Sequence, residues 1–428
     1  MVKVKEYKYP QHNTASERFF SAERLCLPLS QHTGKPSLAC VKPGDTVKTG
    51  DVLAYEDGLI SARLHAPSGG KVLNIEDYFH PVLRTAQCIT VRCQPQEKIF
   101  SSRDNVDALS GSQLREIIRD GGIVGMGGAC FPAHVKLSPS KKINTLIING
   151  CECEPYLACD DRLMVENLEG IFAGIAVLAK ILSPEKVIIA VEENKPQAVK
   201  LASRLISAKK YDFPVLPLVV LKSLYPQGAE KQLIYKVTRR KVPAGGLPFD
   251  VACLVHNVAT AFAVYEAVYY GKPLIERMVT FAGGALKNPK NLWLKIGTTI
   301  KEIFDKGVLE FNQPPDKIVH GGPMMGLALD GVEYPILKGT SGVLFLTESE
   351  VDSSFESPCI RCARCVDNCP MNLFPLEYVK RVKRDEFSSL ADFYINDCIE
   401  CGCCAYVCPA KIPLVHYIKI GKKYAVDR

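Results

Sequence analysis

The sequence predicts a multidomain chain: β structure at the front, an α/β layer in the middle, further β structure, and a small cysteine-bound helical unit at the end. Three observations predict it. The 428 residues exceed what one hydrophobic core serves. Short β-prone runs broken by Gly-Asp turns give way near residue 112 to amphipathic helices alternating with apolar strands. Nine of the eighteen cysteines crowd between positions 359 and 408.

Residues 41–73, "VKPGDTVKTGDVLAYEDGLISARLHAPSGGKVL", resemble the barrel-sandwich domains of biotinyl and lipoyl carriers. Those carriers present a modifiable lysine at a hairpin tip. The stretch from Leu53 to Ala66 contains none, so a structural or docking domain without chemistry is expected over 1–100.

In the middle, "SQLREIIRD" reads as a short amphipathic helix with Ser112 as its N-cap and Gly121 as its stop. The loop "GGIVGMGGACFPAHVKL" and the strand "TLIING" follow. Helices at about 160–182 and 195–208 then alternate with strands "KVIIAV" and "PVLPLVVL". Such alternation predicts a Rossmann-like α/β layer with a parallel sheet. The loop is not a dinucleotide fingerprint: it follows a helix, precedes a strand, and has Cys130 where the last glycine belongs. Five glycines within 121–128 still let the backbone pass close to a flat or anionic ligand. Beyond the strand stands "NGCECEPYLACDDR". Asn149 sits at the strand's end, where open α/β sheets place ligands. On an extended backbone Glu152 and Glu154 would point to one side, able to accept bonds from ribose hydroxyls or a carboxamide. A solvated turn before a helix capped by Asp160 or Asp161 is the equally open alternative.

At the end, "CIRCARCVDNCP" (359–370) and "CIECGCCAYVCP" (398–409) are two copies of one pattern, each matching cysteine displaced by 39 residues. C-x2-C-x2-C-x3-C-P, twice, is the spacing of two-cluster ferredoxins, in which the fourth cysteine ligates the other cluster. That assigns Cys359, Cys362, Cys365 and Cys408 to one 4Fe-4S cluster and Cys398, Cys401, Cys404 and Cys369 to the other. Zinc knuckles would use paired CxxC units instead. Cys403 is surplus and reads as a small buried filler. The remaining nine cysteines lack metal spacing and read mostly as buried thiols.

Composition excludes other classes. The net charge of +7 is scattered, not striped as for a nucleic-acid binder. The run "KRVKR", Lys380–Arg384, is a solvated helix face or a docking patch for an acidic partner. No stretch is apolar for long enough to span a bilayer, and "MVKVKEYKYP" lacks a signal peptide's apolar core. The expectation is a cytosolic protein with reduced thiols.

"VGMGGACFPAHVKL", "NGCECEPYLACDDRLM", "LPLSQHTGKP", "GGPMMG" (321–326) and the paired cysteine motifs, in this order, resemble the C subunit of Rnf-type electron-transport complexes over nearly the whole chain. The likeness extends more distantly to the flavoprotein subunit of respiratory complex I. The resemblance implies FMN and NAD(H) as further ligands of 101–276. Gly125, Gly127, Gly128 and Phe131 would lie along the flavin and Lys136 would face its phosphate. Asn149, Glu152, Glu154, Glu230 and Asn257 would contact flavin or nicotinamide. Cys130 departs from the family's glycine, which bears on the shape of the pocket. Residues 277–350, with "RMVTFAGGALKNPKNLWLKIGTTIKEIF" reading as hairpin, strand and short helix, would be a β-grasp (SLBB) unit, and 351–428 the ferredoxin-like domain. The implied activity is an NADH-linked oxidoreductase at the cytoplasmic face of the cell membrane. Its partners would be the membrane subunits, a ferredoxin-like subunit, and ferredoxin or flavodoxin. A microcompartment-type cobalamin reductase shares the flavin loop and clusters, but the barrel-sandwich motif ahead of the loop favours the Rnf resemblance. The other rival is a cluster-bearing scaffold whose nucleotide site has decayed.

Overall fold

The structure, a computed structural model, describes residues 1–8, 10–94, 98–209, 211, 213–214 and 218–425. Strand β1 (Glu17–Phe19) is followed by β2 (Arg24–Pro28), β3 (Leu38–Ala39), β4 (Thr46–Val47), β5 (Val52–Tyr55), β6 (Leu64–His65), β7 (Gly70–His80) and β8 (Arg84–Cys93). Two small antiparallel sheets, β2-β8-β7-β4 and β3-β5-β6, face one another across fully buried Leu25, Leu27, Leu53 and Ile89. In β8 the run Cys88–Val91 supplies the buried positions, Ile89 and Val91 fully so, while Arg84, Thr85 and Arg92 are exposed. The 56–63 connection, where a carrier would hold its lysine, is instead pinned to the α/β unit. Glu56 accepts from Arg63 Nε (2.9 Å) and from Arg119 Nε, while Lys338 Nζ donates to Arg63 O (2.6 Å) and Gly122 O (2.8 Å). A swinging arm is replaced by a clamp.

Helix α1 (Gly111–Asp120) opens the α/β unit. Its N-cap is Ser110, not Ser112. Ser110 has the extended backbone of a cap, and Gln113, three residues on, closes a capping box with it; Ser112 already lies in the first turn. Gly121 stops the helix as expected. Then come α2 (Ala133–Lys136), β9 (Thr145–Gly150), α3 (Cys159–Glu166), α4 (Leu168–Leu182), β10 (Lys186–Glu192), α5 (Pro196–Ser207), β11 (Val219–Leu221), α6 (Glu230–Thr238), β12 (Cys253–Asn257) and α7 (Val258–Tyr270). The helix expected over 160–182 is two, broken at Asn167. Of "PVLPLVVL", only Val219–Leu221 forms a strand, and 215–217 lie outside the described residues. The sheet is wholly parallel in the order β11-β10-β9-β12, with Leu146, Ile147 and Ile148 of β9 fully buried. The strand order reverses at β9, so the carboxyl ends of β9 and β12 form the crevice in which such sheets bind ligands.

Strands β13 (Glu276–Ala282) and β14 (Lys290–Lys295) form an antiparallel hairpin, followed by α8 (Ile300–Asp305), β15 (Lys317–His320), β16 (Leu327–Leu329) and β17 (Gly342–Leu346). They build a six-stranded sheet, β1-β14-β13-β17-β15-β16, whose outer edge is β1 from the start of the chain. The last unit holds α9 (Arg364–Asp367), α10 (Pro375–Val382), α11 (Cys403–Tyr406) and α12 (Leu414–Tyr424). Its duplication is visible in the backbone. Arg361 and Glu400, Ala363 and Gly402, Asn372 and Lys411 are pairs 39 residues apart, and all six have left-handed φ between 53° and 80°. Tyr378, Val379 and Val382 of α10 pack with Leu414 and Ile418 of α12, while Lys380, Lys383 and Arg384 stay exposed. Among the described residues no helix is long and apolar enough to cross a membrane.

Candidate functional site

The glycine loop is held from three sides. Gly125 N donates to Phe131 O (2.8 Å) and Met126 N to Thr260 Oγ1 (2.9 Å), and Thr33 of "LPLSQHTGKP" donates from its backbone to Cys130 O (3.2 Å). Gly127 lies directly on Asn257, where a Cβ would stand 3.2 Å from the asparagine's own. Gly128 has φ +119°, a backbone that L side chains avoid, and faces open space. Cys130, at φ 50°, turns its thiol against Gly339, and burial raises the thiol's pKa. Phe131 is half-buried.

The other expected site residues gather in pairs. Lys136, at the end of α2, meets Glu230, at the start of α6, with Nζ 2.6 Å from Oε1. Asn149 and Asn257 are register partners at the ends of β9 and β12. Asn149 Nδ2 donates to Gly228 O (2.8 Å). Asn257 caps α7 through Ala259 N (2.7 Å) and donates to Asp160 Oδ2 (2.6 Å).

Glu152 and Glu154 do not share a side. Glu152 has φ 46°, so the extended backbone needed to align them is absent. Its carboxylate turns to α3, accepting from Asp160 N (2.8 Å) and Asp161 N (3.2 Å). The helix is therefore capped by Glu152, not by Asp160 or Asp161, which lie buried inside its first turn. Burial, then the charge of Glu152, raises Asp160 to about 7. Glu154 points the other way, accepting from Tyr225 Oη (3.2 Å) and Met324 N (3.1 Å), and burial raises it to about 7. The unfolded chain ionises this group near 4.5, whereas the folded chain keeps its proton to about 7. The contribution of Glu154 to stability therefore falls as pH rises between those values, by at most about 3 kcal/mol, and is level above them. Glu154→Gln is expected to make the fall shallower, with Asp160 and Glu192 keeping their own contributions, read as the urea midpoint at pH 5 against pH 8.

Sequence reasoning missed Lys8, Tyr225 and Thr260. Lys8 is buried and bonds the carbonyls of Glu152, Glu154 and Leu157. No local signal marks a lysine in a polar segment for burial.

The cysteines form two sets. Cys359, Cys362, Cys365 and Cys408 line a cavity of about 290 Å³ together with Ile360, Arg361 and Phe374. Cys369, Cys398, Cys401 and Cys404 line a tighter one, about 20 Å³, beside Tyr378. Each cavity thus takes three cysteines from one motif and the fourth from the other. Backbone N–H groups of Arg361, Glu400 and Leu373 point at the sulfurs of Cys359, Cys398 and Cys369 at 3.3–3.4 Å, the polarity that thiolate-held clusters use. In both sets the donor chemistry, four thiols with backbone N–H groups at the sulfurs, suits a cubane cluster. The first set opens to solvent through Cys359 and Cys362. The second sits against the α/β unit, with Cys401 beside Val2 and Tyr225, and Gln232 Nε2 donating to Pro370 O (2.8 Å). Cys403 is fully buried with Sγ 3.9 Å from Tyr225 O, matching the filler reading. Of the nine other cysteines, Cys26, Cys88, Cys151, Cys159 and Cys253 are buried and Cys40 is exposed.

Residues 118–266 match the Nuo51 FMN-binding domain, 2–96 the RnfC barrel sandwich hybrid domain, and 358–412 the 4Fe-4S dicluster domain. The C subunit of the proton-translocating ferredoxin:NAD(+) oxidoreductase complex of Clostridium ljungdahlii is 45% identical over 359 residues, covering 82% of this chain and 77% of that protein. The chain belongs to the RnfC family. Its members include the C subunit of the ion-translocating oxidoreductase complex of Rhodobacter capsulatus, 40% identical over 85% of this chain and 71% of that one. Another is the C subunit of the Na(+)-translocating ferredoxin:NAD(+) oxidoreductase complex of Acetobacterium woodii, 37% identical over 86% and 84%. Among solved structures, an NAD+-reducing [NiFe]-hydrogenase in the air-oxidized state aligns at TM-score 0.46 and 21% identity, covering 56% of this chain and 47% of that one. This RnfC-family chain carries an FMN-binding domain and two 4Fe-4S clusters.

Proposed function

We propose that the chain is the electron-entry subunit of an Rnf-type complex, passing electrons between NAD(H) and a ferredoxin-linked chain coupled to ion transport. The observation that carries this reading is the placement of the cysteine sets. One abuts the crevice of the parallel sheet and the other opens to solvent, so a wire has one end at the nucleotide site and one at a partner. When bound, FMN exchanges a hydride with the nicotinamide and the clusters carry electrons singly. The chain's residues bind and orient. Gly125, Gly127, Gly128 and Phe131 would line the flavin. Lys136, its charge balanced by Glu230, would face the phosphate; Asn149, Glu152, Glu154 and Asn257 would present the polar groups around ring and nicotinamide. Cys359, Cys362, Cys365 and Cys408 would hold the outer cluster, and Cys369, Cys398, Cys401 and Cys404 the inner.

Domain limits of 1–100, 101–276, 277–350 and 351–428 belong to the same reading. Residues 277–350 are taken as a β-grasp (SLBB) unit, supported by the order hairpin β13–β14, helix α8, then β17 parallel to β13. The subunit would sit peripherally at the cytoplasmic face, against the membrane subunits and a ferredoxin-like subunit, with ferredoxin or flavodoxin as mobile carriers. The test is a visible spectrum of anaerobically purified protein before and after NADH. Flavin bands and an iron–sulfur shoulder, both diminished by NADH, are expected. Flavin that stays unbleached would support the scaffold with a decayed nucleotide site and overturn the reading.

A further inference from the structure

We propose that residues 2–8 and 10–12 form a strap that completes the flavin site, and that Lys8 is the positioning residue fastening it. The inference rests on the reading of 149–161 as the cofactor-contacting segment.

The strap runs from the inner cysteine set to the start of α3. Val2 exchanges both backbone bonds with Tyr225 (2.8 Å each) and is buried beside Cys401 and Cys403. Glu6 O accepts from Tyr156 N (2.7 Å), and the Tyr7 ring stacks on Tyr156 with centroids 4.7 Å apart. Gln11 Nε2 donates to Tyr156 O (2.9 Å), and His12 Nδ1 lies 2.7 Å from Asp161 Oδ2. Between these points Lys8, 3% exposed, donates to Glu152 O (2.8 Å), Glu154 O (3.0 Å) and Leu157 O.

An ammonium has three protons, and each finds a carbonyl of one loop. That loop, 151–158, has no regular structure to satisfy its own backbone, and a buried carbonyl without a donor is costly. It also holds Glu152 at φ 46° and Tyr156 at φ 67°, conformations that persist only where surroundings over-determine them. A buried lysine is itself expensive unless bonded, so an apolar residue would serve simple packing better. What the lysine does is aim: with the three carbonyls tied to one point, Glu152 keeps its carboxylate on α3 and Glu154 keeps its own on Tyr225.

The test compares Lys8→Met with the parent. Lys8→Met is expected to raise the KM for NADH and weaken FMN retention, each about tenfold or more, because loop placement near 1 Å decides such affinities. kcat at saturation should stay within about threefold and iron per chain unchanged, separating positioning from general damage. In flavin-free protein, amide exchange should accelerate across 151–158 and not in β9. Parental KM, FMN retention and exchange in Lys8→Met would overturn the proposal, as would exchange accelerated evenly over the chain. Should Lys8→Met not accumulate, Tyr7→Ala carries the same test, since it removes the ring on Tyr156 from a half-exposed position. A parent that NADH fails to bleach would refute the proposed function, while the exchange comparison would still decide the strap.

Discussion

Replacing Cys408 by alanine is expected to empty the outer cluster site, although Cys408 stands in the second motif and the other three ligands stand in the first. Iron should fall from roughly eight to roughly four atoms per chain. Pairing shows which cluster is lost. Cys359→Ala combined with Cys408→Ala should lose no more iron than either change alone, because both act on one site. Cys359→Ala with Cys369→Ala should lose both clusters. Non-additivity within a site and additivity between sites is the signature. The expectation rests on the two cavities, each lined by three cysteines of one motif and one of the other. Cys403→Ala, by contrast, should keep roughly eight irons, since Cys403 lines neither cavity. The crossed assignment fails if Cys359→Ala with Cys408→Ala strips both clusters.

Gly174→Ala should be the most damaging single methyl in the α/β unit. Gly174 lies in α4 where that helix crosses α7, and a Cβ there would stand 1.8 Å from Ala261 O. The obstacle is backbone, so no rotamer change relieves it. Helix propensity favours alanine by about 1 kcal/mol, yet overpacking of this kind costs about 3 kcal/mol or more, and the clash wins. Because α7 begins at Asn257, which lies on Gly127, pushing α7 outward also moves the floor of the glycine loop. Lower thermal stability and weaker FMN retention should appear together. A variant with parental melting would show that α4 and α7 are not in this contact.

The cysteine motifs illustrate what is readable in a sequence. Their spacing is local, it repeats after 39 residues, and the geometry of a cubane admits few chains with that spacing. The parallel sheet is similar for β9 and β10, short apolar runs between helical patterns, whereas β12 carries no such reading. Ser112 against Ser110 shows a narrower limit. Two serines two residues apart are equivalent to a pattern, and only the backbone at Ser110 with Gln113 behind it separates them. Glu152 shows a deeper one. Spacing by two implies a shared face only on an extended chain, and the left-handed turn at Glu152 reverses that inference.

By itself the sequence determined the order of the units, the repeat of the cysteine motif and the position of the glycine loop beside a strand end, because these follow from periodicity and spacing within a few dozen residues. Tertiary structure alone decided that β1 closes a sheet almost three hundred residues away, that Glu152 caps α3, and that Lys8 sits beneath the loop it supports. Those depend on which unpaired carbonyls and N–H groups meet once distant segments are packed, and a buried loop takes its donors from whatever the fold brings near.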